Sequence, residues 1–239
     1  MSARDALARD ALARIGDEVD ALFGALAPLA DEFAGIASAS GQLPGPGLRP
    51  LTREGLADLR GTIADILATH RGFAAGCGVI PAAGLLEDAQ YWMEWWWTSA
   101  GREPEPLRVN LEPLAPDFFD YTTADWFVTP EHTLARHIAG PYVDYVCTNE
   151  YATTLALPVV VDDAFVGIAA LDVTVAAWEE RFVPLLRTVP GTATLTNTGG
   201  RVIASSSPAV VPGQRLDLAD RDAVLGSTAF GWHLVGAGS

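Results

Sequence analysis

The sequence predicts an α+β fold in which a long N-terminal helix precedes an antiparallel sheet. The helix is predicted by an apolar seam between residues 12 and 36, and the sheet by two β-rich runs, ATTLALPVVV and AFVGIAALDV, that flank Asp162 and Asp163. Two acidic residues between such runs form the short polar turn of a β-hairpin. With 239 residues, the chain has enough material for one domain or for two small ones.

The N-terminal seam consists of apolar residues that recur in alternating steps of three and four, which is the a/d pattern of a coiled coil. Gly24 and Pro28 interrupt it, and Pro28 predicts a kink or break because proline lacks an N–H donor and clashes one turn back. The seam indicates either a dimer interface, which we favour, or a helix packed along its own domain. Its members are Leu12, Ile15, Val19, Leu22, Leu26, Leu29, Phe33 and Ile36.

A Pro/Gly-rich segment, residues 41–50, separates this helix from the predicted core. Thr52 is placed to cap a second helix, with Glu54 in its first turn. The apolar stripe of that helix predicts core packing and comprises Leu56, Leu59, Ile63, Ile66 and Leu67.

Two strands are predicted next, GFAAGCGVIP and YWMEWWW. By strand alternation one face of the second carries Tyr91, Met93, Trp95 and Trp97, and the other carries Trp92, Glu94 and Trp96. Packing in the hydrophobic core explains aromatic residues on one face of a strand, but it explains them less well on both faces. One face is therefore expected to line a pocket, where a tryptophan over a cation contributes about 0.5 to 2 kcal/mol. Glu94 is either a third acid of that pocket or, as we expect, an exposed strand residue.

In the second strand of the hairpin, a carboxylate, Asp172, is the last residue of an otherwise apolar face. Because a buried ionised group is costly unless it is paired or hydrogen-bonded, Asp172 needs a partner. Alternation places Val166, Ile168, Ala170 and Asp172 on one face, and Phe165, Gly167, Ala169, Leu171 and Val173 on the other.

A second acid, Asp144, lies in GPYVDYV on a strand face that it shares with Tyr142. Between residues 117 and 175 the only basic side chains belong to the segment PEHTLARH. If Asp144 and Asp172 meet, two acids converge without an evident cation from the chain, and the missing cation would be the ligand. The alternative is that each acid accepts hydrogen bonds from backbone N–H groups or threonine hydroxyls.

The segment DFFDYTTADWF follows a short predicted strand, PLRVNLEP, and leads into a turn of helix. Its rings Tyr121, Trp126 and Phe127 are candidates to close the pocket. Asp120 and Asp125 are expected to cap the helix or to face solvent.

The order of these elements resembles the sensor modules called Cache or PDC domains. The resemblance covers roughly residues 50–177 and rests on D-Y-x-x-x-x-W-F, G-P-Y-x-D-Y and T-L-A-L-P-V-V-V-D-D-x-F-V-G-I-A-A-L-D-V. It implies a PAS-like fold, in which an antiparallel sheet and loops enclose one ligand. It also implies a sensor that passes its signal to another protein and is not an enzyme. Ligands of the family are amino acids, amines, carboxylates and purines.

One position departs from the family pattern. Amino-acid-sensing members carry an arginine two residues before the tryptophan of the W-F pair, where its bidentate guanidinium holds the ligand carboxylate. The corresponding residue here is Ala124. Asp144 and Asp172, which resemble the ammonium-binding half, are kept. The resemblance therefore implies an amine without an α-carboxylate.

Beyond the hairpin, AAWEERFVPLLRTV predicts a helix with a kink at Pro184. Two hairpin strands around Gly199 and Gly200 and a closing strand near the C-terminus are predicted to follow. This part resembles the second lobe of double Cache modules, much reduced in size. We assign it a structural or relay role.

Composition excludes several classes of partner. A formal net charge of -15 argues against nucleic acid, because such a surface needs Lys and Arg at the phosphates, and it would repel anionic membranes. The charged start, MSARDALARDALARIGDE, lacks the apolar core of a signal peptide. We expect no membrane-spanning segment and a soluble, cytoplasmic protein. Cys77 and Cys147 fit two free thiols in a reducing compartment.

Common enzyme motifs are absent from the sequence. It contains no G-x-S-x-G, P-loop or G-x-G-x-x-G pattern. His132 and His137 are five residues apart, unlike the i, i+4 pair of a helical zinc site. A small enzyme that uses Asp144, Asp172 and Glu94 for proton transfer is the less favoured alternative. We predict no catalytic residue, metal or cofactor.

These observations together predict a dimeric sensor for one small-molecule ligand, a cationic amine, with an unidentified signalling partner. The expected parts are a helical dimerisation segment (1–40), a ligand-binding core (50–177) and a helix with a small second lobe (178–239). A carboxylate sensor that uses Arg136 with His132 or His137 is the alternative. The predicted ligand-binding residues are Trp95, Trp97, Tyr121, Trp126, Phe127, Tyr142, Asp144 and Asp172.

Overall fold

The computed structural model describes residues 2–40, 50–98, 102–145, 149, 151–218 and 224–237. Within these residues the α-helices are α1 (Ala3–Ala39), α2 (Arg53–Leu56), α3 (Arg60–Thr69), α4 (Asp125–Thr133) and α5 (Val175–Leu186). The strands are β1 (Ala74–Pro81), β2 (Glu94–Trp97), β3 (Glu105–Pro106), β4 (His137–Val143), β5 (Tyr151–Val161), β6 (Ala164–Thr174), β7 (Thr192–Thr196), β8 (Val202–Ser205), β9 (Val224–Ser227) and β10 (His233–Ala237).

The described strands form two antiparallel sheets, so the predicted α+β class is confirmed. The larger sheet has the order β3-β2-β1-β6-β5-β4 and the smaller has the order β8-β7-β10-β9. The predicted hairpin, β5 and β6, lies in the middle of the larger sheet and turns at Asp162 and Asp163, which both have positive φ. The hairpin thus separates the side of the sheet that holds α1 from the side that holds the cavity described below.

Helix α1 begins at a capping box formed by Ser2 and Asp5 and packs its apolar seam against the chain's own sheet. From Leu12 to Phe33 the seam is buried, and Ile36 is partly buried against the same core. The second interpretation of the seam, a helix packed along its own domain, therefore describes the structure. The Pro/Gly segment after it, residues 41–49, lies outside the described residues.

Pro28 does not break α1, so of the kink or break predicted there the break is wrong. The helix runs from Ala3 to Ala39 with Pro28 inside it. Leu26 and Leu29, on either side of the proline, are fully buried. In proteins most helical stability comes from packing of an apolar face, and here that packing outweighs the hydrogen bond that the proline removes.

The prediction that no segment is apolar enough to span a bilayer is also wrong. Among the described helices, α1 is long and apolar enough to cross a membrane by length and composition alone. Less than half of its most apolar window is buried in the protein. In the structure its seam forms part of the core.

A β-bulge in β6 changes which side chains face the cavity side of the sheet. Val159 pairs with Gly167, and Val160 pairs with Phe165, so Val166 is left as the extra residue. Gly167 adopts φ +141°, and a Cβ there would clash with the carbonyl oxygen of Ile80, so only glycine fits this bulge. Beyond the bulge Ile168, Ala170 and Asp172 share one face as predicted.

Before the bulge the predicted faces are reversed. Val166 packs in the cluster that contains α1, whereas Phe165 packs against Phe127 with ring centroids 5.5 Å apart. One extra residue exchanges the two faces of a strand because side chains alternate with period two. The prediction for Val166 and Phe165 is therefore wrong.

The strands predicted around the tryptophan-rich run are shorter in the structure. Strand β2 contains only Glu94–Trp97, and β3 contains only Glu105–Pro106, so most of PLRVNLEP is not a strand. Pro106 pairs with Trp96 at the edge of the sheet, which is where a proline is tolerated. The chain then leaves the edge, and Leu107 packs over the aromatic residues on the cavity side.

Helix α5 and the smaller sheet pack on the α1 side of the larger sheet. The Trp178 ring stacks on Phe182 at 4.9 Å, and the Trp178 indole N–H donates a 2.7 Å hydrogen bond to Thr153 Oγ1 on β5. Helix α5 continues past Pro184 to Leu186. The smaller sheet contains a strand, β9, that was not predicted.

Candidate functional site

The larger sheet, α4 and the preceding loops enclose a cavity of about 360 Å³ on the side opposite α1. Its wall is mostly apolar and aromatic, with a few polar groups, as is typical of small-molecule sites. It is lined by Ile80, Met93, Trp95, Leu107, Phe119, Ala124, Trp126, Tyr142, Val143, Asp144, Tyr145, Thr154 and Asp172.

Two buried carboxylates, Asp144 and Asp172, form the acidic part of this wall, and each is only 6% exposed. Asp172 lies near the end of β6, directly opposite Thr154 on β5. The Thr154 hydroxyl donates a 2.6 Å hydrogen bond to Asp172 Oδ1. Asp144 follows the last residue of β4. The two acids predicted from separate strands thus line the same cavity.

A bulge in β4 brings Tyr142 to the same cluster. The register shifts between Ala139 and Tyr142, and Gly140 within the bulge has φ +101°, where a Cβ would meet the carbonyl oxygen of Ala152 at 2.7 Å. After the bulge, the Tyr142 hydroxyl lies 2.5 Å from Thr154 Oγ1. Tyr142, Thr154 and Asp172 therefore form a continuous chain of hydrogen bonds.

The pKa of Asp172 is raised to about 7. Burial is the largest cause, the Thr154 hydrogen bond opposes it, and the charge of Asp144 adds to it. Desolvation and a like charge both disfavour an ionised carboxyl. Near neutral pH this carboxyl is consequently poised between its neutral and ionised forms. A cation placed beside it would favour the ionised form.

Trp95 forms the wall next to Asp172. Its indole lies over Gly76 on β1, where a Cβ would be only 2.8 Å from Nε1, and Gly76 is paired with Asp172. The glycine leaves the space that the indole occupies. Trp95 is 3% exposed, and its N–H has no hydrogen-bond acceptor among the described residues.

Five of the eight predicted ligand-binding residues line the cavity, namely Trp95, Trp126, Tyr142, Asp144 and Asp172. The other three, Trp97, Tyr121 and Phe127, are not among the described residues that line it.

Tyr121 and Phe127 form the layer behind the wall. The Tyr121 hydroxyl donates to the Pro81 carbonyl oxygen at 2.9 Å, and its ring meets Phe127 edge-on at 5.1 Å. Trp97 is partly buried against the same cluster and pairs with Glu105 near the sheet edge. These rings support the cavity and do not line it.

Several wall residues were not predicted. Thr154 is the most important, because it forms hydrogen bonds with both Tyr142 and Asp172. The sequence pointed to it only through the alternative in which threonine hydroxyls donate to the acids. The apolar wall residues Ile80, Leu107, Phe119 and Val143 carry no distinguishing signal.

The basic segment PEHTLARH lies outside the cavity wall. Arg136 forms a 2.8 Å ion pair with Asp20 on α1, and His137 Nε2 lies 2.9 Å from Asp125 Oδ2. No arginine, lysine or histidine is among the described residues that line the cavity. The carboxylate-sensing alternative therefore lacks the cations on which it relied.

Glu94 is neither a pocket acid nor exposed, so both interpretations of it are wrong. It is 3% exposed, forms a 2.8 Å ion pair with Arg60 of α3, and accepts a hydrogen bond from the Trp96 indole at 3.1 Å. It faces the helical side of the sheet because the alternation of β2 turns it away from Trp95.

The described residues contain no cluster of three or more His, Cys, Asp or Glu side chains that could hold a metal ion. Cys77 is a free, buried thiol whose pKa burial raises well above its ordinary range. Cys147 lies outside the described residues.

The fold is similar to that of solved sensory domains of chemoreceptors and histidine kinases. The chain resembles the ligand-binding domain of the Campylobacter jejuni chemoreceptor Tlp3 in complex with L-norvaline, with a TM-score of 0.60, 16% identity, and coverage of 92% of this chain and 74% of that one. It also resembles methyl-accepting chemotaxis protein X, with a TM-score of 0.59, 16% identity and coverage of 90% and 76%.

A third similar structure is the extracellular domain of soHK1S-Z6, named a histidine kinase, with a TM-score of 0.58, 13% identity and coverage of 95% and 88%. No protein-family model matches the chain, and no curated protein matches it in sequence. The structural similarities therefore confirm the Cache-like fold that the sequence predicts.

Proposed function

We propose that this protein is a ligand-binding sensor domain whose cavity takes a small cationic amine. The observation that carries the proposal is the position of Asp144 and Asp172, two buried carboxylates in the wall of one apolar cavity. No arginine, lysine or histidine is among the described residues of the wall. An ammonium group beside the two acids would be attracted by both carboxylates, and the attraction is stronger in an apolar site than in water.

The aromatic wall supports the same ligand class. Trp95 and Trp126 line the cavity with the two acids, and a cation over a tryptophan face gains about 0.5 to 2 kcal/mol. The apolar residues of the wall, such as Met93 and Leu107, suit a short hydrocarbon body. The cavity of about 360 Å³ lies at the lower end of the range for small-molecule sites.

Ala124 argues against an ordinary α-amino acid as the ligand. It lines the cavity at the position where the family resemblance places a carboxylate-binding arginine. Tlp3 was solved in complex with L-norvaline, an α-amino acid. In this chain a ligand carboxylate would meet alanine and two acids, which supports an amine that has no α-carboxylate.

Sensing implies an output, and we place it in a partner protein that responds to the liganded form. A soluble, cytoplasmic homodimer remains the prediction for the protein's state. Sedimentation velocity of the purified chain measures its self-association directly.

Calorimetric titration and thermal unfolding of the purified protein test the ligand class, with n-butylamine, putrescine, tetramethylammonium, L-norvaline and butyrate as probes. A ligand that binds only the folded state at a hundredfold excess over Kd stabilises it by about 2.7 kcal/mol. We expect stabilisation by the amines, which Asp144→Asn and Asp172→Asn abolish and the exposed control Asp162→Asn retains. Stabilisation by butyrate or L-norvaline alone would overturn the proposal.

A further inference from the structure

The polar side chains of the cavity wall come from only part of the sheet. Every side-chain oxygen in the described wall lies on β4, β5 or β6 or on the two residues that follow β4, and these oxygens belong to Tyr142, Asp144, Tyr145, Thr154 and Asp172. The described wall residues in or beside β1, β2 and α4, and in the loops between them, have no charged side chain and no side-chain oxygen. The wall therefore offers carboxylates at one place and apolar groups elsewhere.

The register of the sheet gives the extent of the apolar part. Ile168, on the same face of β6 as Asp172, pairs with Ile80 of β1, and Ile80 lines the cavity. Four residues of strand separate Asp172 from Ile168, which corresponds to about 13 Å. Ile80 is 1% exposed, whereas Tyr145, which follows the second acid, is 81% exposed. The cavity thus meets solvent at its acidic end and is closed by apolar side chains at the end formed by Ile80.

We infer that this cavity selects monoamines with an apolar tail and discriminates against diamines. The inference rests on the proposed function. The ammonium binds at the acidic end, and the tail packs towards Ile80. A second ammonium on the tail would lie among apolar side chains with no carboxylate beside it, and burying an unpaired charge is costly.

Met93 is the residue that sets this selectivity at the closed end. It lines the cavity and directly precedes β2, whose first residue, Glu94, pairs with Val79, the neighbour of Ile80. Its unbranched side chain is partly buried in the aromatic cluster and gives the tail an apolar contact. A carboxylate at this position would instead give a second ammonium its partner.

Isosteric pairs of amines test the inference, because each pair differs only by a terminal methyl group and a terminal ammonium group. The pairs are n-pentylamine with putrescine and n-hexylamine with cadaverine, titrated calorimetrically at neutral pH, where both amino groups of a diamine are charged. We expect the diamine of each pair to bind roughly ten times more weakly or worse, since tenfold corresponds to only about 1.4 kcal/mol. From ethylamine to n-pentylamine the affinity should rise about fourfold with each methylene group, as expected for burial of a tail.

Met93→Glu should reverse the selectivity, because it places a carboxylate at the closed end. Cadaverine should then bind at least as tightly as n-hexylamine. Met93→Gln, which has the same shape without the charge, is the matched control and should retain the preference for the monoamine. The comparison on the unmodified protein decides the question even if Met93→Glu does not fold.

Diamines that bind the unmodified protein as tightly as their monoamines would overturn the inference and leave the amine sensor intact. An affinity that does not change with the length of the tail would also overturn it, as would equal selectivity of folded Met93→Glu and Met93→Gln. If no amine binds, the proposed function fails and the inference fails with it.

Discussion

The side chain of Asn197 joins the smaller sheet to the strand that carries the cavity residues. Its Nδ2 donates a 2.7 Å hydrogen bond to the carbonyl oxygen of Gly140, in the bulge that precedes Tyr142 and Asp144. The Oδ1 of the same side chain accepts from the backbone N–H groups of Gly199 and Arg201 at 3.0 and 2.9 Å. One amide group therefore holds both the turn of the smaller sheet and the bulge beside the ligand cavity.

We predict that Asn197→Ala lowers the free energy of unfolding by about 1 to 3 kcal/mol, because partly buried groups lose their hydrogen-bond partners. Chemical denaturation with urea measures this loss. Asn197→Asp separates the two roles, since it retains an acceptor for the turn and loses the donor to Gly140. If the bulge matters for the site, Asn197→Asp also weakens amine binding; unchanged affinity in a folded variant would contradict this.

The stability of the ligand-free protein should depend on pH through Asp172. Its pKa in the folded state is raised to about 7 from an ordinary value of 3.8, so between these values the folded state binds more protons than the unfolded state. The contribution of Asp172 to stability is thus full below about pH 4 and is lost as the pH rises through 7. A pKa that is higher by one corresponds to about 1.4 kcal/mol, so the loss of stability amounts to a few kcal/mol.

Asp172→Asn removes this component, because asparagine does not titrate. From pH 5 to pH 8 the variant should therefore lose less of its free energy of unfolding than the wild type does. Urea denaturation of both proteins at the two pH values measures this difference. The exposed substitution Asp162→Asn is the control and should follow the wild type. A constant difference between Asp172→Asn and the wild type at both values would refute the role of this carboxyl.

Amine binding should release protons for the same reason. An ammonium beside Asp172 lowers the pKa of the carboxyl, so binding near pH 6 expels a proton and the affinity rises by up to about tenfold per pH unit until the pH reaches about 7. Calorimetry in buffers of different ionisation enthalpy counts the released protons. Binding with no net proton release at pH 6 would show that the ammonium lies elsewhere.

Ala124→Arg should add affinity for α-amino acids. Ala124 lines the cavity and precedes α4, and an arginine there would offer a bidentate donor to a carboxylate. Titration with L-norvaline should then show binding that the wild type lacks. Ala124→Leu, which fills space without a charge, should show none; equal behaviour of the two variants would mean that this position does not face the ligand.

Substitutions in the seam of α1 should unfold the protein and not merely separate subunits. Val19 is fully buried, and Val19→Asp would place an unpaired charge in the core, a change that destabilises a protein by several kcal/mol. Ala21→Asp, on the exposed side of the same helix, is the control. Circular dichroism and sedimentation velocity together check the outcome; a folded monomer from Val19→Asp would favour the dimer interpretation of the seam.

The alternation of strands made part of the site predictable. It correctly placed Asp172 with Ala170 and Ile168, and the conflict between a buried acid and an apolar face pointed to a ligand. It did not reveal the bulge at Val166, which depends on how Gly167 packs against Ile80.

The bulge also decides the partner of Asp172. A two-residue turn at Asp162 and Asp163 continued without a bulge would pair Asp172 with Thr153, whereas the observed register pairs it with Thr154. Because one inserted residue shifts every later pair, the hydrogen-bonded chain to Tyr142 could not be derived from the sequence. Glu94 shows the same limit, since its partner Arg60 lies on a separate helix.

Thr153 and Thr154 follow each other on β5 and send their hydroxyls in opposite directions. One accepts the Trp178 indole N–H beneath α5, and the other binds Asp172 in the cavity. Only one strand consequently separates the cavity from helix α5 at this point. Two adjacent side chains of one strand therefore connect the cavity with the hydrogen bond that holds α5 to the sheet.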